Sequence, residues 1–231
     1  MTTKRWYQGQ ALCLDVEATG LDVEADRIVS AGVARIDLAT GETLHVRRYL
    51  ADPGIDIPAS ATALHGITTE QARADGMPVY EVALLVWNDL DIGWRAGLPL
   101  VVFNAPYDLT MLERELLRVY NFGLAADGPV LDPHAISLGV DERPVDGYSL
   151  AALCADYGVI NAKPHDAVDD ALAAGQLVRA QVARHRAKLG RRDLRDLWRA
   201  QSYWHRSHAN AHGRDPHWPL TPAPDHHGAP A

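Results

Sequence analysis

The chain predicts an α/β fold, a mixed five-stranded sheet flanked by helices, and three features carry that expectation. Short segments rich in Val, Ile and Leu crowd the first fifty residues. Helical spacing of apolar residues then alternates with brief apolar runs further along. The resulting element order, three strands followed by alternating helices and strands, gives an antiparallel meander joined to parallel strands.

In chain order, strands are expected at 10–17, 27–36 and 42–50, with Thr40-Gly41 as the turn between the last two. A short helix follows at Ala59–Leu64. After Pro78, Val79, Val82, Ala83, Val86 and Leu90 recur at helical spacing, so 79–92 is a helix. The continuous apolar run 99–103 reads as a buried strand. Pro106 sits where a helix would begin, and Leu109, Leu112, Leu116 and Val119 carry that helix to Tyr120. Val130–Leu131 is a brief fifth strand, and helices follow at 134–138, 149–157 and 167–188. Beyond, 191–208 fits a basic helix bearing Trp198 and Trp204. The Pro- and His-rich residues after Gly213 lack the makings of a core and read as a loose tail.

Composition narrows the class. The 231 residues are 47% hydrophobic and 23% charged, which is a globular balance. The longest apolar runs are far too short to span a bilayer, and the first ten residues hold no apolar signal core. Cys13 and Cys154 lie within apolar segments, the pattern of buried thiols in a cytoplasmic protein. The net charge of −8 is uneven: residues 184–231 carry nine Arg and Lys against four Asp. An acidic body with a basic end points to an anionic partner met by that end. Tryptophans packing the same helix onto the body are the equal alternative.

Carboxylates occur where apolar residues belong. Alternation along 11–17 puts Cys13, Asp15 and Glu17 on one face and Leu12, Leu14 and Val16 on the other. Asp108 shares a helical stripe with Met111, Leu112 and Leu116. Asp166 fits an N-cap and Asp169 a first-turn capping position, whereas Asp170 shares the stripe of Ala174 and Leu177. Taken singly, each acid has an ordinary explanation: a strand end reaching water, a helix-dipole aspartate, a capped turn. Taken together, Asp15, Glu17, Asp108 and Asp170 would repel one another in a buried site unless cations compensate. A pair of hard divalent ions, Mg²⁺ or Mn²⁺, would account for all four and would suit phosphodiester hydrolysis. His165, close to the last acid, could accept the proton of an attacking water.

Those positions fall in three motifs: Leu14-Asp15-Val16-Glu17-Ala18-Thr19-Gly20-Leu21, Asn104-Ala105-Pro106-Tyr107-Asp108, and His165-Asp166-Ala167-Val168-Asp169-Asp170-Ala171. The set resembles the DnaQ-like, or DEDDh, 3′→5′ exonucleases, and Leu64-His65-Gly66-Ile67-Thr68 and Val130-Leu131-Asp132 are similar to further stretches of that family. The resemblance implies a ribonuclease-H-like sheet, three antiparallel strands plus two parallel ones, within a domain spanning 7–183. It implies that Asp15, Glu17, Asp108 and Asp170 hold the metals, with Asp15 bridging both, and that His165 is the general base. It further implies that Ala18, Thr19, Gly20 and Leu21 line the terminal-nucleotide pocket through backbone N–H groups and a leucine wedge. His65, Asn104 and Tyr107 would contact the substrate end. Ala18 and Tyr107 depart from the family's Thr and Phe, and neither change threatens activity.

The substrate expected from this resemblance is the 3′ end of single-stranded DNA, with a DNA polymerase subunit as a candidate partner. RNA or short oligonucleotides are the alternative substrate, because the same acids serve both. A non-catalytic polymerase-associated module is the reading from a different class, and the intact acid set argues against it.

Overall fold

The computed structural model describes residues 5–124, 128–141 and 147–223. After a 3-10 turn at Trp6–Gln8, β1 (Gln10–Ala18), β2 (Ile28–Asp37) and β3 (Thr43–Asp52) form the antiparallel meander. Helices α1 (Ala59–His65) and α2 (Thr69–Asp75) lead to β4 (Met77–Pro78) and α3 (Val79–Arg95). Next come β5 (Leu100–Val102), α4 (Ala105–Tyr120), β6 (Val130–Leu131) and α5 (Pro133–Val140). The chain continues through α6 (Leu150–Tyr157), α7 (Ala167–Arg184), α8 (Arg186–Leu189) and α9 (Leu194–Ala211). The sheet order is β4-β3-β2-β1-β5-β6, with β5 parallel to β1 and β6 parallel to β5.

The sheet has six strands rather than the expected five. The addition, β4, pairs parallel to the end of β3 through Ala51↔Met77 and Asp52↔Pro78. Two residues carry no periodicity, and close approach of backbone creates this strand. A Cβ on Gly76 would overlap the backbone of Ala51 and Asp52. Helix α2 also had no apolar stripe to betray it, and the Thr68 side chain starts it by accepting from the Gln71 N–H at 3.1 Å. The expected helix 167–188 breaks at His185 into α7 and α8.

Alternation along β1 sorts side chains between two cores. Leu12, Leu14 and Val16 pack with Val82, Val86 and Leu90 of α3 and Leu109, Leu112 and Leu116 of α4. Ala11 and Cys13 face Ala171, Ala174, Val178 and Val182 of α7. Val119, assigned by spacing to the apolar stripe of α4, is exposed. Cys13 and Cys154 are both buried free thiols. No helix among the described residues is long and apolar enough to cross a membrane.

The C-terminal region departs from expectation. Trp218 is 8% exposed and belongs to the same core cluster as β1 and α4. Its indole Nε1 donates to Asp132 Oδ2 at 3.0 Å, and Arg114 reaches the carbonyls of Thr221 and Pro222. The reading of a loose tail therefore fails as far as residue 223, and 224–231 lie outside the described residues. Apolar anchors need not be numerous where one large aromatic ring fills a prepared site. On α9, Trp198 packs edge-on against Trp218 with centroids 5.7 Å apart, and Trp204 lies against Gly139 of α5. The tryptophan-packing alternative is thus realised.

Edge strand β6 meets an unusual partner in α9. The buried Gln201 accepts from the Asp132 N–H at 2.7 Å and donates to the Val130 carbonyl at 3.0 Å. One side-chain amide therefore takes the place of a further strand and satisfies an edge that would otherwise be open.

Candidate metal and active site

The site forms at the C-terminal end of β1. The parallel ladder from β1 to β5 stops at Leu14↔Val102, and the Val16 N–H donates instead to Asp108 Oδ1 at 2.8 Å. Asp108, in the first turn of α4, is thereby held against the strand carrying Asp15 and Glu17. Helix α4 begins at Asn104, whose left-handed backbone (φ 56°) turns the chain sharply after β5. The buried Asp132 secures that turn by accepting from the N–H groups of Asn104 (2.9 Å) and Ala105 (3.1 Å). Asp132 also caps α5 through the His134 N–H at 2.9 Å.

Asp170 arrives from the opposite face on α7. Asp166 caps that helix by accepting from the Val168 N–H at 3.1 Å, and Arg48 and Lys163 flank Asp166 at 2.6 and 3.2 Å. Asp170 is buried, accepts from the Asn161 amide, and takes the His165 N–H at 3.0 Å. His165 is exposed and adopts a left-handed backbone conformation (φ 63°). Glu17, His165 and Asp170 each present one ligand atom within 4.8 Å of the others.

Electrostatics ties Asp15 and Asp108 to this group. Burial raises the Asp15 carboxyl well above its usual range, and the charges of Asp108, Asp170, Glu17 and Asp166 raise it further. Glu17 is pushed up to about 7, first by burial and then by Asp170 and Asp166. Burial also raises Asp108, against the opposing hydrogen bond from Val16, with Glu17 and Asp132 adding to the rise. Asp170 is raised by burial despite the Asn161 and His165 hydrogen bonds. Hard oxygen donors that destabilise each other's charge are the donor set a divalent cation relieves, so the residues fit such an ion.

The surrounding residues are placed less uniformly. Leu21 is 86% exposed in the loop after β1, while Ala18 is buried in the core and can offer only backbone. Thr19 is committed to structure: its N–H donates to the Arg27 carbonyl at 2.9 Å and its hydroxyl to Asp26 Oδ1 at 2.7 Å. The expected Thr19 amide is therefore not open to a ligand, because a register shift at Glu17/Ala18 turns it into the hairpin. A Cβ on Gly20 would overlap the Asp26 carboxylate, which braces the loop from beneath. His65 ends α1; burial lowers its pKa, the Ala18 carbonyl opposes this, and the His165 ring lowers it further. The Tyr107 hydroxyl donates to the Gly20 carbonyl at 2.7 Å. Sequence reasoning gave no role to Asn161, Gln201 or Trp218, since none lies in a motif or periodic pattern.

Known proteins resemble this chain in both sequence and fold. The RNase_T family model, described as exonuclease, matches residues 12–178. A DNA polymerase III subunit epsilon-like protein of Rhodobacter capsulatus is 36% identical over 166 residues, covering 70% of this chain and 22% of that protein. The DNA polymerase III subunit epsilon of Rickettsia prowazekii is 28% identical over 165 residues, covering 69% and 68% respectively. The chain thus spans about a fifth of the first relative's length. Among solved structures, E. coli exonuclease I in complex with a dA16 oligonucleotide superposes with a TM-score of 0.65 at 19% identity. That match covers 86% of this chain and 44% of the other.

Proposed function

Since the chain belongs to the RNase_T exonuclease family, we propose that it removes nucleotides one at a time from the 3′ end of single-stranded DNA. The observation that carries this reading is the convergence of Asp15, Glu17, Asp108 and Asp170 on one end of β1, with His165 beside them. These four carboxylates would hold two divalent ions, Mg²⁺ or Mn²⁺. Such ions neutralise charge at a scissile phosphate and lower the pKa of bound water. His165 takes the proton of the attacking water as its oxygen bonds to phosphorus. The P–O3′ bond breaks, the 3′-oxygen gains a proton, and a nucleoside 5′-monophosphate leaves.

Tyr107 and Asp26 keep the loop at Thr19–Leu21 in shape, so that the exposed Leu21 can wedge against the terminal base. His65 and Asn104 flank the reacting phosphate. Relatives named as polymerase III epsilon subunits support association with a DNA polymerase as the setting for this activity.

Incubating the chain with a 3′-labelled single strand tests the reaction. Mononucleotide release that requires Mg²⁺ or Mn²⁺ and stops with EDTA is expected. Absence of any metal-dependent release would reject the proposal, and faster release from RNA than from DNA would reassign the substrate.

A further inference from the structure

Helix α9 brings a set of rings to the same end of the sheet. His208 and His212 stack with centroids 4.2 Å apart at 29°, and Tyr148 stands edge-on to His208 at 5.8 Å. His134 lies 6.1 Å from Tyr148 and 6.5 Å from His208. Together with Asn104 and Arg214 these rings line a groove of about 530 Å³. A neighbouring hollow of about 310 Å³ shares Asn104, His134, His208 and Arg214, and runs on to Tyr107. Asn104 caps the helix that bears Asp108, so both hollows abut the N-terminal turn that carries one of the four acids.

We propose that this groove, closed by His208, His212 and Arg214 beyond the family-matched residues, is a subsite for single-stranded polynucleotide upstream of the terminal nucleotide. It rests on the exonuclease reading given above. The volume lies within the ~300–1,000 Å³ typical of built ligand sites. The outer faces of such a ring cluster accept bases of any sequence by stacking, and one guanidinium suits a backbone phosphate. Burial, then the charges of His212, His134 and Arg214, lowers the His208 pKa. Burial likewise lowers His134, with Asp132 opposing and His205 and Arg214 reinforcing. Both shifts favour the neutral imidazole, which offers a face rather than a charge. Arg214, the one Arg or Lys among the described residues lining this groove, is exposed and free to meet a backbone phosphate.

Binding measured without turnover tests this. In EDTA, fluorescence anisotropy would compare an oligothymidylate of about 12 nucleotides with a dinucleotide. The wild-type chain should bind the longer strand more tightly. A His208→Ala/His212→Ala variant should weaken that binding about 10-fold. His208→Phe, which keeps a ring, should restore it, and covers the case in which the double variant fails to fold. Arg214→Gln should lower the salt slope by about 1. The same residue dependence on oligouridylate rather than oligothymidylate would support the groove with RNA as its strand. Length-independent affinity in the wild type, or unchanged length dependence in the variants, would overturn the proposal. Binding through these residues without Mg²⁺-dependent nucleotide release would reject the reaction instead and leave the groove standing.

Discussion

Gly32 of β2 lies against the backbone of Ala167 at the start of α7, so close that a Cβ at position 32 would overlap the Ala167 carbonyl and the Val168 nitrogen. Gly32 also pairs with Asp15 across the ladder. One missing side chain therefore sets how near the Asp170 helix comes to the Asp15 strand. Gly32→Ala should cost about 1–3 kcal/mol in urea unfolding, as overpacking does, and should weaken Mn²⁺ binding. Gly175→Ala, which would press on Ile36 and Cys13 further along α7, should lower stability with a smaller loss of Mn²⁺ affinity. Unchanged stability and Mn²⁺ affinity in Gly32→Ala would show that α7 is positioned otherwise.

The bond from Trp218 to Asp132 couples the C-terminal segment to the turn that starts α4. Trp218→Phe keeps most of the buried ring and loses the donor, for an expected loss of about 1–3 kcal/mol. Ending the chain at Gly213 also removes the ring and should cost about 3–5 kcal/mol. Equal unfolding midpoints for the full and shortened chains would count against any structural role of this segment.

Asp15 has its charge opposed by three neighbouring carboxylates of the site. Asp15→Asn should reduce metal-dependent hydrolysis by roughly 10²–10³. In EDTA the same variant should melt higher than the wild type, because one repelling charge is gone. Thermal scans with and without Mg²⁺ provide the check, and a lower melting temperature in EDTA would contradict the repulsion argument.

Glu17 gives a pH signature. Its folded pKa of about 7 stands above the ordinary glutamate value of 4.5. Between those values the folded state holds a proton that the unfolded chain releases. Its stabilising contribution is therefore complete below pH 4.5 and disappears as pH rises through 7. Glu17→Gln removes this dependence, so in EDTA its melting temperature should gain on the wild type from pH 4.5 to pH 7.5. Each kcal/mol relieved should appear as about 2–4 °C. A constant difference across that range would refute the assigned shift.

His165 adopts φ 63°, a conformation asparagine tolerates well. His165→Asn therefore removes the imidazole with little added strain, and, if that ring is the proposed base, the hydrolysis rate should fall roughly 10²–10⁴-fold. Calorimetric Mn²⁺ titration separates two roles: nearly intact affinity fits a base, and collapse of affinity makes His165 a ligand.

Much of the site was readable locally. The period of two in β1 put Asp15 and Glu17 on the side of Cys13, which packs on α7, and Glu17 comes within reach of Asp170; the stripe of α7 selected Asp170 over Asp169 as the buried acid. Asn161 was invisible to such reasoning, since its bond to Asp170 depends on a loop with no repeat. The engagement of the Thr19 N–H by the Arg27 carbonyl follows a strand irregularity that residue types do not show.

By itself, the sequence determined which residues alternate inward along β1, which side chain starts α7, and which acids share a face. Those properties follow from fixed local periods and from side chains reaching backbone two or three residues away. Only the tertiary structure decided that Gln201 closes the edge of β6, that Trp218 enters the core, and that β4 exists. Each depends on groups far apart in the chain meeting at contact distance, where polar satisfaction and packing are settled by what surrounds them rather than by neighbouring residues.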